Sequence, residues 1–176
     1  MNKKPSILGI LKFLLLIIVS ILSVGVAYYN RGIDYAKKGD YDEAISNYTK
    51  AIRLNPYNAK AYHNRGIAYA IKEDYDKAIS DFNKVIRLNP NYAKAYHNRG
   101  LIYANKIDYD RAISDYNEAI RLNPNYAKAY NNRGEAYYRK EDYDKAIADY
   151  ESALRIDPGN HSHAQDFIEN LKRKER

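Results

Sequence analysis

Few side chains in this chain could move a proton or hold a metal. His63 and His97 stand 34 residues apart, and the aspartate pairs Asp40/Asp42, Asp74/Asp76, Asp108/Asp110 and Asp142/Asp144 recur at that same interval. Two imidazoles without a third carboxylate or thiolate make a poor metal site. Both histidines are therefore expected to face water, and no metal is expected. An Asp-Tyr-Asp at the start of a predicted helix answers the helix dipole rather than acid–base catalysis. His161 and His163 flank a carboxyl-terminal cap. The absence of cysteine excludes disulfides, thiolate ligands and cysteine nucleophiles. No glycine loop suits a phosphate, and no serine sits in a nucleophile-elbow setting. No catalytic residue, cofactor or small-molecule substrate is expected. The Asn47-Tyr48-Thr49 sequon lies inside a predicted helix and is discounted.

What remains is amide and ammonium chemistry. Asn30, Asn64, Asn98 and Asn132 each open an Asn-Arg-Gly triplet, and the triplets are 34 residues apart. An amide side chain carries a donor and an acceptor, so it can bond both polar groups of an extended peptide backbone. Lys60, Lys94 and Lys128 precede three of them and would favour an acidic peptide.

The elements that position these residues are set by the same interval. Gly32, Gly66, Gly100 and Gly134 keep it, as do Tyr41, Tyr75, Tyr109 and Tyr143, and Pro56, Pro90, Pro124 and Pro158. A fixed period of this length marks a stack of supersecondary units rather than one globular core. The units are framed as 25–58, 59–92, 93–126 and 127–160. In the second, Tyr62, Gly66 and Tyr69 share one face of a helix, and Ala78, Ile79, Phe82, Val85 and Ile86 form a second apolar stripe. The short polar link Lys72-Glu73-Asp74 makes the two helices antiparallel neighbours. Pro90 ends the second helix by pushing Asn89 away from helical angles. A helical glycine costs about 1 kcal/mol against alanine, so Gly66 is expected to admit a partner helix. A hairpin of this kind cannot cover its own apolar faces, and the stack needs capped ends. Residues 161–176 supply a capping helix and a basic tail: Ser162 and Gln165 read as a capping box, and Ala164, Phe167, Ile168 and Leu171 form its stripe.

Residues 1–27 are a different material. Phe13 to Asn30 is an uncharged run of eighteen residues, about the minimum for a bilayer. It reads as a membrane anchor or as a signal peptide cut after Ala27, where Gly25 and Ala27 have suitable spacing. A cut there would trim the first repeat helix, which favours the anchor. With Ile7 to Leu11 added to the run, Lys3 and Lys4 lie closer to it than Lys37 and Lys38, which favours repeats on the extracytoplasmic side. Cleavage would instead give a secreted or periplasmic protein. The formal net charge is +7, yet residues 28–171 hold 22 basic and 21 acidic side chains. A strongly basic face for nucleic acid is not evident.

The pattern Tyr62, Gly66, Tyr69, Ala78, Phe82, Pro90 resembles the tetratricopeptide repeat signature. Tyr28, Gly32, Tyr35, Ala44, Tyr48 and Pro56 match it in the first unit. Tyr96, Gly100, Tyr103, Ala112, Tyr116 and Pro124 match it in the third, and Tyr130, Gly134, Tyr137, Ala146, Tyr150 and Pro158 in the fourth. Tyr replaces the family's usual Trp. Arg31, Arg65, Arg99 and Arg133 replace a usual leucine, and they are expected to form a ladder paired with acidic residues of a neighbouring helix. The resemblance implies an all-α, right-handed solenoid whose first helices line a concave face. Helical spacing then puts Asn30, Asn64, Asn98, Asn132, Lys60, Lys94, Lys128, His63 and His97 on that face, with Ile33, Ile67 and Leu101. A chaperone carboxylate clamp is only partly matched: Asn64 and Lys94 fit, whereas Tyr29, Ile33 and Asn98 depart. The expected function is a membrane-tethered scaffold that binds a protein or peptide segment in the groove. The alternative is a structural, self-assembling repeat protein.

Overall fold

The computed structural model describes residues 6–160 and 168–169. Eight α-helices follow one another among these residues: α1 Ile7–Lys38, α2 Tyr41–Leu54, α3 Ala59–Ile71, α4 Tyr75–Leu88, α5 Ala93–Asn105, α6 Tyr109–Leu122, α7 Ala127–Arg139 and α8 Tyr143–Ile156. A 3-10 turn at Pro158–Asn160 closes the series. The described residues contain no strand. The chain divides into two compact units, Met1–Lys77 and Ala78–Arg176, with the division inside α4.

Several helices begin and end for a local reason that the residues show. The Asn58 side chain accepts from Ala61 N–H at 3.1 Å, and the Asp108 side chain accepts from Arg111 N–H at 3.1 Å. Both satisfy amides that the first helical turn leaves without partners. At the other end, α2, α4 and α6 stop at the residue before an Asn-Pro pair. There the asparagine side chain folds back as an Asx turn: Asn55, Asn89 and Asn123 each accept from the N–H two residues on, at 3.1, 3.1 and 3.2 Å. Proline stops the helix, and the asparagine shapes the corner after it.

The turn inside each hairpin needs one left-handed residue. Gly39 supplies it at φ 85°, and Glu73, Ile107 and Glu141 occupy the equivalent place at φ 60°, 61° and 62°. Isoleucine is β-branched and sits there at a steric cost. Its side chain gains nothing in return, because Ile107 is 74% exposed.

In the first unit α1 packs on α2 and α2 on α3. Ala44, Tyr48, Ala51, Ile52 and Ala61 form its core. Gly32 lies against the buried Tyr48 ring so closely that a Cβ there would stand 2.5 Å from Cε1. In the second unit α5, α6, α7 and α8 pack in order, with Ala95, Ile102, Ala112, Tyr116, Ala129, Ala136, Ala146 and Tyr150 buried. Gly100 meets the Tyr116 ring as Gly32 meets Tyr48, with 2.8 Å for a Cβ added there. Gly134 is looser, with 3.2 Å to Tyr150 and to the Ala146 carbonyl. Ile168 is buried with Ala146, Ile147 and Tyr150, so part of the expected cap covers the fourth hairpin. Ser162, Ala164, Gln165, Phe167 and Leu171 lie outside the described residues.

α1 is one unbroken helix of 32 residues. Ser6 caps it by accepting from Gly9 N–H at 3.1 Å. By length and composition it can cross a membrane. Its large apolar side chains from Ile7 to Val26 are exposed, so nothing described in the chain covers them. Its second half is the first helix of the first repeat, and Gly25 already backs onto Leu54.

Two substitutions test this packing by thermal unfolding. Ile107→Gly removes an unfavourable left-handed isoleucine and raises the midpoint, with a gain of about 1 kcal/mol. Gly32→Ala lowers it by about 1–3 kcal/mol because the added Cβ meets the Tyr48 ring at 2.5 Å and the ring must shift, while Gly134→Ala stays near wild type.

Candidate functional site

Three structures on the repeat framework bear on function: the asparagine series, the arginine series and a cavity. The asparagines are tied back to the preceding repeat. Asn64 Nδ2 donates to Tyr29 Oη at 3.2 Å, a partner 35 residues earlier. It also hydrogen-bonds the Tyr48 side chain, whose hydroxyl burial pushes up to about 12. Asn132 Nδ2 donates to His97 Nε2 at 2.9 Å, again across 35 residues. Asn98 Oδ1 stands 3.3 Å from His97 Nδ1. Asn64, Asn98 and Asn132 are half-buried, and Asn30 is exposed. Lys60, Lys94 and Lys128 are all exposed.

The histidines do not face water as expected. His63 is 7% exposed and His97 is 5% exposed. The His97 ring packs 4.9 Å from the Tyr126 ring and 5.9 Å from Tyr116. Spacing along one helix cannot reveal this, because the ring is covered by the next repeat. With Asn132 donating to Nε2, the neutral ring carries its proton on Nδ1, facing Asn98 Oδ1 and the Tyr126 hydroxyl at 3.2 Å. Burial pushes the imidazole below its usual range; Asn98 opposes this and the Lys128 charge adds to it. Among the described residues no group of three His, Cys, Asp or Glu side chains could hold a metal.

The arginine ladder is present in the second unit as expected. Arg99 grips Asp115 in a two-pronged pair, Nε to Oδ2 at 2.8 Å and Nη2 to Oδ1 at 2.6 Å. Arg133 grips Asp149 in the same way at 2.7 and 2.6 Å. Nη1 of each donates to an asparagine sixteen residues earlier, Asn83 and Asn117. Arg65 uses Thr49 in that earlier place, at 2.9 Å. These arginines also lie over tyrosines, with Arg99 5.7 Å from the Tyr96 ring centroid and Arg133 5.5 Å from Tyr130. The ladder breaks in the first repeat. Position 47 holds asparagine instead of aspartate, and Asn47 Nδ2 donates to the Glu43 carbonyl at 2.8 Å. Asn47 is buried, which removes the sequon from reach. Arg31 is exposed.

The cavity lies in the first unit and measures about 360 Å³. Ile33, Ala36, Tyr48, Ile67, Ala68 and Ile71 give it apolar walls, with Asn64, Lys37 and Tyr41 as its polar members. Ile71 is 51% exposed. Sequence spacing puts Ile33 and Ile67 on this face but misses Lys37, Tyr48 and Ile71. A signal existed: the first, third and fourth repeats carry Lys37, Asn105 and Arg139 where the second carries Ile71. In the second unit the corresponding positions are charged, with Glu135 and Arg139 standing where the first unit has Ile67 and Ile71. Glu135 accepts from Arg139 Nε at 2.7 Å and from Tyr150 Oη at 3.0 Å.

The His97 geometry fixes a pH dependence. The unfolded imidazole titrates near 6.5, and the folded one below that. The His97 contribution to stability is therefore complete above pH 6.5 and is lost as pH falls through the folded value. The thermal midpoint should fall between pH 7 and pH 5, and His97→Gln should flatten that slope. Asp115→Ala, which strands the Arg99 guanidinium, should cost about 1.5–3 kcal/mol at neutral pH.

Comparison with known proteins agrees with this architecture. Family models described as Tetratricopeptide repeat match residues 25–58 and 59–92, and another of the same description matches residues 97–161. No curated protein matches the chain. Among solved structures, a crystal structure of MamA is similar at 29% identity with a TM-score of 0.74, covering 79% of this chain and 81% of that one. The first tetratricopeptide domain of Spaghetti (RPAP3), bound to an HSP90 peptide, is similar at 29% identity and a TM-score of 0.62, covering 66% of this chain and 91% of that one. The Arabidopsis OM64 tetratricopeptide domain is similar at 25% identity and a TM-score of 0.66, covering 67% and 98%. With repeat helices, closing glycines and terminal prolines all in register, the chain belongs to the tetratricopeptide repeat family of protein-interaction scaffolds.

Proposed function

We propose that this protein is a membrane-tethered scaffold that captures a segment of a partner protein on its repeat helices. The cavity of the first unit carries the proposal. It is lined mainly by aliphatic side chains, and at the places of its Ile67 and Ile71 the second unit carries the ion-paired Glu135 and Arg139. An apolar side chain of the partner would enter between Ile33, Ile67 and Ile71. Lys37 at the cavity, with exposed Lys60 in the same unit, would favour acidic groups beside it. Asn30 is free to meet the partner, while Asn64 and Asn132 hold the neighbouring tyrosine and histidine in place. The similar Spaghetti domain is bound to a peptide, which supports the mode of binding.

The tether is supported by the continuity of α1. A cut after Ala27 would sever that helix between Gly25, which touches Leu54, and Tyr28, which packs on Ala51, Ile52 and Ala61. Retention of α1 keeps the first repeat whole. The placement of Lys3 and Lys4 supports repeats on the extracytoplasmic side.

Panning a displayed peptide library on the purified full chain tests the groove. The enriched peptides should share a large apolar residue next to acidic ones, and Ile71→Lys should weaken them about tenfold, a typical cost for one buried anchor. Enrichment without an apolar anchor, or indifference to Ile71→Lys in a folded variant, overturns it. The size of the expressed protein on a gel tests the tether. A mature chain beginning at Tyr28 would refute the anchor.

A further inference from the structure

Arg31 is the odd member of the arginine series, and its position explains what it can do. In the second unit the repeat arginine is spoken for on both sides: an aspartate sixteen residues later and an asparagine sixteen residues earlier. For Arg31 the later position is Asn47, whose amide turns to the Glu43 carbonyl instead. The earlier position is Leu15, in the apolar run. Arg31 makes no ion pair among the described residues, with Asp34 or any other acid. The guanidinium is thus left with its charge and its planar donor fork available.

The surroundings of Arg31 suit one kind of ligand. Arg31 follows Val26 by about 7 Å along the helix axis, just beyond the exposed apolar half of α1. Val24, Ala27, Tyr28 and Arg31 line a cavity of about 240 Å³. These four residues fall at helical spacing on one face, apolar at the membrane end and cationic at the repeat end. Tyr28 supplies an amphipathic ring at the depth where tyrosines favour the membrane interface. Lys50 stands over that ring, 5.4 Å from its centroid, and adds a second positive charge.

We propose that this cavity binds the headgroup phosphate of an anionic phospholipid, with the Arg31 fork on the phosphate oxygens and Val24 and Ala27 against the start of the acyl chains. A guanidinium matches a phosphate in a two-pronged geometry that an ammonium cannot. The bound lipid fixes the depth of α1 and seats the first repeat on the membrane surface. In this repeat the lipid phosphate supplies the anionic partner that Asp115 and Asp149 supply to Arg99 and Arg133. This inference rests on the reading of α1 as a retained membrane helix.

The test uses the full chain in detergent, with phosphatidylglycerol or phosphatidylcholine added and retained lipid read by native mass spectrometry. Wild type should retain phosphatidylglycerol in preference, and Arg31→Gln should reduce that preference about fivefold, the worth of one cation at a membrane surface. Asn47→Asp should reduce it as well, because the new carboxylate recaptures Arg31 in the pair seen at Arg99, and the thermal midpoint should not fall. Equal retention of the two lipids, or an Arg31→Gln variant with wild-type preference, overturns the site. Displacement of the lipid by millimolar inorganic phosphate overturns the lipid as ligand. Flotation with phosphatidylglycerol vesicles separates the two readings: a chain that does not float defeats the tether, whereas a chain that floats regardless of Arg31 defeats only this site.

Discussion

The whole repeat depends on the missing side chain of one glycine. An aromatic ring from the second helix lies where that side chain would be, against Gly32 in the first unit and Gly100 in the second. This brings the two helices close enough for Ala44 and Ala112 to be fully buried between them. A ring that deep cannot leave its hydroxyl in water, so burial raises the Tyr48, Tyr116 and Tyr150 phenols. Each hydroxyl therefore seeks a partner, and the partners differ. Asn64 serves Tyr48, and Glu135 serves Tyr150. The choice of aromatic residue at the glycine thus dictates part of what lines the neighbouring face.

The arginine series shows the same logic in charge. A guanidinium beside a core is tolerable only with good geometry and satisfied donors. Asp115, Asn83 and two tyrosine rings meet that demand for Arg99, which the Asp115 carboxylate holds above its usual value. Burial pushes the Asp115 carboxyl up, and the guanidinium works against that. The Lys72 and Asp42 pair, at 2.7 Å, and the Lys140 and Asp110 pair recur on the outside of the two units. Those pairs are exposed and add little to stability. The interior pairs matter because a lost partner leaves a charge with no water to receive it.

Much of this was legible in the residues. The glycine, tyrosine and proline intervals identify the hairpins, their close approach and their ends, since each depends on one residue and its neighbours in sequence. The pairing of Arg99 and Arg133 with an acid was legible for the same reason, because charge seeks charge. What escaped was set by the adjoining repeat. His97 reads as solvated when only α5 is considered, yet Tyr126 and Asn132 arrive from later in the chain to enclose it. The asparagines read as free amides, yet Asn64 and Asn132 are committed 35 residues back. Ile71 is not among the face residues that helical spacing picks out, and the packing of α1 and α3 makes it a cavity wall.

Near-identity between repeats sharpens the significance of the differences. The second and third repeats share 26 of 34 residues, so a departure from the pattern stands out against a uniform background. The departures cluster at the amino end: Asn47 for aspartate, Leu15 where an asparagine or threonine would stand, and an apolar cavity walled by Ile67 and Ile71 where the second unit carries Glu135 and Arg139. All three lie in the unit that contains α1. A repeat that stacks only on other repeats must satisfy its arginine from within the protein. A repeat continuous with an apolar helix has other neighbours, and a residue that packing would leave unsatisfied in the interior becomes usable there. The same position in the repeat therefore holds a structural clamp in one setting and an open cation in another.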